Sequence, residues 1–356
     1  MGAAVAERTR NTGHAGVIHA AVERSQTLEQ DAPPTPLPSL AQSSTGEGRP
    51  PPVLPGDPVR LPVGLPEQIA DRASDGPTGR PFRGGLRVTG ATSRRLLLFT
   101  FDDGPHREHT KRLLDILDER DVKAVFFLNG ERILGENRRQ RAQVEVARET
   151  IRRGHIVGNH TVHHPQLPLL NNLEVAAEID SAADIIKRLT GERPWLLRPP
   201  GGARSPRVDE LIGVRGYTIF EWNLGAGDFQ VDTPQAVVDI WVRVFERRQR
   251  ELGHRGGIIL LHDTHAWSVD AVPMLFDKID EWNCEALALG EELYDIVDSP
   301  RYFFFPREKE AYGSAAPPAQ MEPEVHAYRQ QNLRDHYHEF CEPPPGPPDL
   351  GGSQAD

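Results

Sequence analysis

The chain has 356 residues, with 41 Lys and Arg against 52 Asp and Glu, giving a formal net charge of −11. That balance repels phosphate backbones and argues against a nucleic-acid partner, while a neutral sugar is free to approach. No segment approaches the roughly 20 apolar residues of a spanning helix. Cys284 and Cys341, the two cysteines, fall on either side of a predicted domain edge and suggest neither a disulfide framework nor a thiolate metal site.

Residues 1–91 are rich in Pro, Gly, Ser and charge (PPTPLPSL, RPPPVLPGDP), a composition that cannot offset the entropy of ordering a backbone, so a largely disordered region is expected. The start, MGAAVAERTRNTGHAGVIHAAVERSQ, scatters charge through its length and lacks a continuous apolar stretch of about seven. No secretory signal is read there, so the expectation is a cytoplasmic protein, with export left open.

From residue 92 short apolar runs recur: LLLFTF (96–101), AVFFL (124–128), HIVGNH (155–160), WLLRPP (195–200), YTIFEWN (217–223) and GIILLH (257–262). They lack period-2 alternation, which predicts strands buried on both faces. Helical spacing lies between them at Leu113, Ile116 and Leu117, and at Val175, Ile179, Ala182, Ala183 and Ile186. Alternating strand and helix predicts an α/β fold, either an open sheet or a barrel. Beyond residue 305 the chain turns polar and ends in EPPPGPPDLGGSQAD, so 306–356 reads as a Pro-rich tail.

The reactive side chains fall at the ends of these runs. Asp102 and Asp103 follow the first run, His160 ends the third, Arg198 sits near the end of the fourth, Asp228 follows the fifth and His262 ends the sixth. In a barrel that face carries the active site. Two adjacent carboxylates repel unless a cation or a proton intervenes, so one of the pair can bind metal while the other serves as base. His160 and His164, four apart, can meet one ion if the segment makes a single turn. Asp103 with both imidazoles makes a three-ligand set that suits zinc and also non-haem iron. Arg198 can pair with Asp102, and His262 titrates in a range suited to proton delivery. His265 reads as a rim residue.

In this order, Thr100-Phe101-Asp102-Asp103-Gly104-Pro105, His160-Thr161-Val162-His163-His164, Arg198-Pro199-Pro200-Gly201-Gly202 and Leu260-Leu261-His262-Asp263 closely resemble the first, second, third and fifth motifs of the polysaccharide deacetylases. That carbohydrate esterase family includes chitin, chitooligosaccharide, peptidoglycan and some acetylxylan deacetylases. The resemblance covers residues 92–305 and implies a distorted, TIM-like (β/α) barrel of about seven strands, with a divalent metal, usually zinc. It also implies that Asp103, His160 and His164 are metal ligands, Asp102 the general base, His262 the general acid and Arg198 the brace of Asp102. The Gly201 backbone N–H falls where the family stabilises an oxyanion.

The fourth motif departs: Gly225-Ala226-Gly227-Asp228-Phe229 stands where the family has Asp-x-x-Asp-Trp. The missing first carboxylate normally orients the catalytic histidine and raises its pKa, which leaves Asp228 to compensate. The expected reaction is hydrolysis of an acetyl amide, or an acetyl ester, on an oligo- or polysaccharide. Gly225 motivates a second reading, a binding-only relative without catalysis. The same three ligands also occur in iron oxygenases, a reading that no feature outside the triad favours. The sequence carries no signature of oligomeric state.

Overall fold

A computed structural model of the chain describes residues 87–303, 321 and 323–341. The expected disorder of 1–86 and of 342–356 therefore lies outside the described residues. Among the described residues nine strands form one sheet: β1 (Arg87–Val88), β2 (Leu96–Asp102), β3 (Val125–Leu128), β4 (Ile156–Asn159), β5 (Leu196–Leu197), β6 (Thr218–Phe220), β7 (Leu224–Gly225), β8 (Gly257–His262) and β9 (Asp295–Ile296). All are paired in parallel, in the order β1-β6-β5-β4-β3-β2-β8-β7, and β9 joins the start of β2. Strands β2 to β8 thus follow one another around a distorted barrel of seven strands, open between β6 and β7, with β1 along the free edge of β6. The first strand lies ahead of residue 92, where the domain was expected to begin.

Why the strands lack alternation is visible in β2, all seven residues of which are buried. Leu97, Phe99 and Phe101 face outward into the core shared with the helices, beside Leu113, Leu117 and Phe276. Leu96 and Leu98 face inward, against Val125, Phe127, Ile156, Leu196, Phe220 and Ile258. Both faces remove apolar surface from water, as parallel strands under helices must.

Helices α1 (His109–Glu119), α2 (Arg138–Arg152), α3 (Asn172–Thr190), α4 (Pro206–Gly213), α5 (Pro234–Leu252) and α6 (Ala266–Ala288) alternate with the strands. Each start is legible where a cap exists: Asn171 and Glu174 form a capping box at α3, and Thr233 precedes Pro234 at α5. Register then aligns the strand ends. Asp102 pairs with His262 and Phe127, Phe127 with Gly158, and Asn159 with both Leu128 and Leu197. His160 and Arg198, which follow β4 and β5, therefore emerge on the same face as Asp102, two residues further toward the C-terminal end of the barrel.

The stretch read as a tail from residue 306 contains a further helix, α7 (Pro323–Phe340). Only Gln330, Leu333 and Tyr337 of it are buried, so it offers no apolar stripe to read. Polar clamps seat it instead. Arg329 grips both oxygens of Asp295 at 2.6 and 2.7 Å, Gln330 makes paired bonds to the backbone of Leu293, and the Tyr337 hydroxyl donates to Asp280 at 2.6 Å. A disulfide joins Cys284 on α6 to Cys341 just past α7. This corrects the reading of the two cysteines as unrelated: α7 folds back and closes the gap that their sequence separation of 57 suggests.

Candidate active site

At the C-terminal end of the barrel the side chains singled out in the sequence meet. Arg198 is fully buried inside the barrel. Its Nη1 donates to Asp102 Oδ1 at 2.7 Å and to Thr100 Oγ1 at 2.8 Å, and its Nε and Nη2 donate to the backbone carbonyls of Phe220 and Glu221 at 2.9 and 3.1 Å. The guanidinium lies over the Phe127 ring at 4.2 Å. Gly158 makes room for that stack, because a Cβ there would stand 2.6 Å from Phe127. Buried charges are tolerated only when paired and hydrogen-bonded, and Asp102 and Arg198 satisfy each other.

Asp103, next in the chain, turns away through a positive φ of 69°. Its Oδ1, buried and without a hydrogen bond, lies 3.4 Å from His160 Nε2 and 3.2 Å from His164 Nε2. His160 Nδ1 sits 2.7 Å from the Arg198 carbonyl, which can only accept, so the proton is on Nδ1 and the Nε2 lone pair faces Asp103. Burial pushes the His164 imidazole below its ordinary pKa, toward the neutral form that offers a lone pair. For Asp103, burial works upward, and whenever positive charge sits on His160, His164 and His262 it outweighs burial and holds the carboxyl well below the usual carboxylate range. Three electron-rich atoms that lie within 4.8 Å of one another repel unless a cation stands among them. The residues present fit a divalent metal, and one carboxylate with two imidazoles does not choose among zinc and its neighbours.

Opposite this group stands His262. Its Nδ1 lies 2.9 Å from Asp228 Oδ1, and its backbone N–H donates to Asp228 Oδ2 at 2.7 Å. Burial alone would lower the imidazole, but Asp228 outweighs it and raises His262 to about 9. His262 Nε2, the outer nitrogen, faces Asp103 Oδ2 at 4.0 Å. Gly225, by contrast, pairs with Leu260, one inward-facing position below His262. The carboxylate behind the histidine is thus present at Asp228, and the glycine does not leave His262 without one.

Gly201 follows Arg198 in the same loop with φ 60° and open space where a Cβ would stand, so the backbone there is bare. Phe229 is 62% exposed, with its ring 6.0 Å from His262. His265 stacks on Trp267 at 4.8 Å, at the rim.

Several residues that sequence reasoning passed over hold these groups. The Ser268 hydroxyl donates to Asp228 Oδ2 at 2.6 Å and Trp267 Nε1 to the Asp228 carbonyl at 2.8 Å. Asp263, fully buried, accepts from the Thr110 hydroxyl, and a Cβ on Gly104 would collide with its carboxyl. Burial pushes that carboxyl up to about 7. Glu178 on α3 meets the loop between the two histidines. None of these partners is adjacent in sequence to the group it holds, so spacing could not have found them.

Residues 89–220 match a family model described as polysaccharide deacetylase. An uncharacterised 30.6 kDa protein of Geobacillus stearothermophilus is 30% identical over 189 residues, 53% of this chain and 67% of that protein. The chitin deacetylase of Colletotrichum lindemuthianum is 29% identical over 222 residues, 60% of this chain and 86% of that enzyme. Several other curated deacetylases are longer, and the match covers 39–55% of their length. Among solved structures, the peptidoglycan N-acetylglucosamine deacetylase Bc1960, in complex with an N-oxidanyl-benzamide, superposes with a TM-score of 0.50 at 25% identity, covering 62% of this chain and 93% of that one.

Proposed function

The chain belongs to the polysaccharide deacetylase family of hydrolases, and from that premise we propose that it removes acetyl groups from a carbohydrate, the N-acetyl amide of an amino sugar before the O-acetyl ester. The observation that carries this reading is the two-sided site: Asp102 held by Arg198 on one flank of the Asp103, His160 and His164 cluster, and His262 held by Asp228 on the other. Similarity to a chitin deacetylase and to a peptidoglycan N-acetylglucosamine deacetylase supports the amide.

Asp103, His160 and His164 would hold the divalent metal, zinc by preference. Such an ion supplies a lowered pKa for bound water and polarises a carbonyl oxygen. The chain's own groups do the rest. Asp102 keeps Oδ1 on Arg198 and offers Oδ2, 3.7 Å from His160 Nε2, to take the proton of the attacking water. The Gly201 N–H donates to the oxygen that gains negative charge. His262 delivers the Nε2 proton to the departing nitrogen while Asp228 stabilises the charged ring. Water and amide enter; acetate and an amine leave.

The disulfide supports work in an oxidising compartment, which favours the export left open over the cytoplasmic expectation.

Acetate release from N-acetylated oligosaccharides and acetylated xylan by zinc-reconstituted protein tests the proposal, with Asp102→Asn and His160→Ala as controls. Release that both substitutions abolish supports it. Retention of sugar and zinc without release sinks it and restores the binding-only reading.

A further inference from the structure

The loop that carries both metal-facing histidines is fixed by a carboxylate that touches neither of them. Resting on the metal reading above, we propose that Glu178 is a positioning residue that holds His160–His164 in the one shape able to present both imidazoles to a metal. Glu178 lies on α3, 4% exposed, and spends both oxygens on this loop. Oε2 accepts the backbone N–H groups of Val162 and His163 at 3.0 and 2.9 Å, and Oε1 lies 2.7 Å from His163 Nδ1.

The loop needs such a partner. Thr161 and His164 both hold positive φ, 66° and 57°, in a region that β-branched and bulky side chains rarely enter. Left to itself, the segment would relax and carry the histidines apart. Its other backbone N–H groups are accounted for, with His160 N–H on the Leu128 carbonyl. Thr161 N–H donates to Asn159 Oδ1 and His164 N–H to Thr161 Oγ1, while the carbonyls of Thr161 and Val162 accept from Gly130 and Glu131. Only the consecutive N–H groups of Val162 and His163 depend on a distant side chain. Val162 is buried, so its N–H has no water to turn to if Glu178 is lost. Both of those N–H groups end on Oε2, so an apolar side chain in place of Glu178 removes the acceptor of both at once, whereas a glutamine carbonyl could still take them.

The test is zinc affinity of the full chain, stripped of metal and titrated against a chromophoric chelator, at a temperature where the metal-free proteins are folded by circular dichroism. Glu178→Leu, which removes both acceptor oxygens, is expected to weaken zinc binding by about 10- to 100-fold, as loss of a ligand-orienting partner does. His163→Leu, which removes the imidazole contact and keeps both backbone bonds, is expected to weaken it far less. Unchanged affinity in Glu178→Leu, or an equal loss in His163→Leu, overturns the assignment to the backbone clamp. No zinc binding by the wild type overturns the metal reading itself, a separate result. Should Glu178→Leu not fold, hydrogen exchange of the wild-type metal-free protein decides: the Val162 and His163 amides are expected to be protected, and exchange at open-loop rates overturns the proposal.

Discussion

Asp228 holds His262 at two points, taking its backbone N–H on one oxygen and facing its Nδ1 with the other at 2.9 Å. Because Ser268 also donates to this carboxylate, it cannot turn away from the ring. An acid placed so is present in its protonated form below its raised pKa and lost as pH rises through about 9. Asp228→Asn removes the charge that outweighs burial. The alkaline limb of kcat/KM is expected to move toward neutral pH and kcat to fall by about 100-fold or more, a loss typical for general acid catalysis. A pH profile with its limb unmoved would refute this.

Gly225→Asp restores the carboxylate usual in the family at that position. Since Asp228 already backs His262, no gain in kcat is expected. A marked gain would show that the glycine had cost activity.

Arg198→Leu leaves Asp102 buried without its partner. Breaking a buried pair on one side costs about 3–5 kcal/mol, so the unfolding midpoint should fall strongly in denaturant titration, and activity should vanish in whatever protein remains folded. Arg198→Lys, which cannot reproduce the four directed bonds of the guanidinium, is expected to fall between the two.

Asp263 opposes the usual carboxylate rule. Burial raises it to about 7 in the folded chain, while an unfolded Asp titrates near 3.9. The folded state therefore binds the proton more tightly, and this stability is full below about pH 4 and lost as pH rises through about 7. Asp263→Asn keeps an acceptor for Thr110 without the ionisation. It should raise the thermal midpoint at pH 8 and change it little at pH 4; equal shifts at both would refute the assignment.

Reduction of Cys284–Cys341 frees a long loop, worth about 4 kcal/mol on the chain-entropy account. The thermal midpoint should fall with reductant while acetate release at 25 °C persists, since α7 packs on β9, which pairs with the start of β2, away from the site. In protein isolated without reductant from the cells that make it, neither thiol should react with a labelling reagent. Labelling would count against the oxidising compartment.

The barrel and the candidate site groups were legible because parallel strands write continuous apolar runs, and the residues at the ends of those runs are brought to one face by register. Asp102, His160, Arg198 and His262 could be read in that way. Glu178, Ser268, Thr110 and Asp263 could not, because their contacts cross between elements far apart in sequence. Helix α7 was missed for a different reason: Arg329, Gln330 and Tyr337 seat it through polar bonds, and a polar helix reads like a tail. The same helix brings Cys341 to Cys284, so missing one meant missing the other.

Because the two sulfurs lie on either side of residues 304–320, a protease cut anywhere in that stretch would release nothing. The severed C-terminal piece would stay tethered to α6, and a nicked chain would run as one band on a non-reducing gel and as two after reduction.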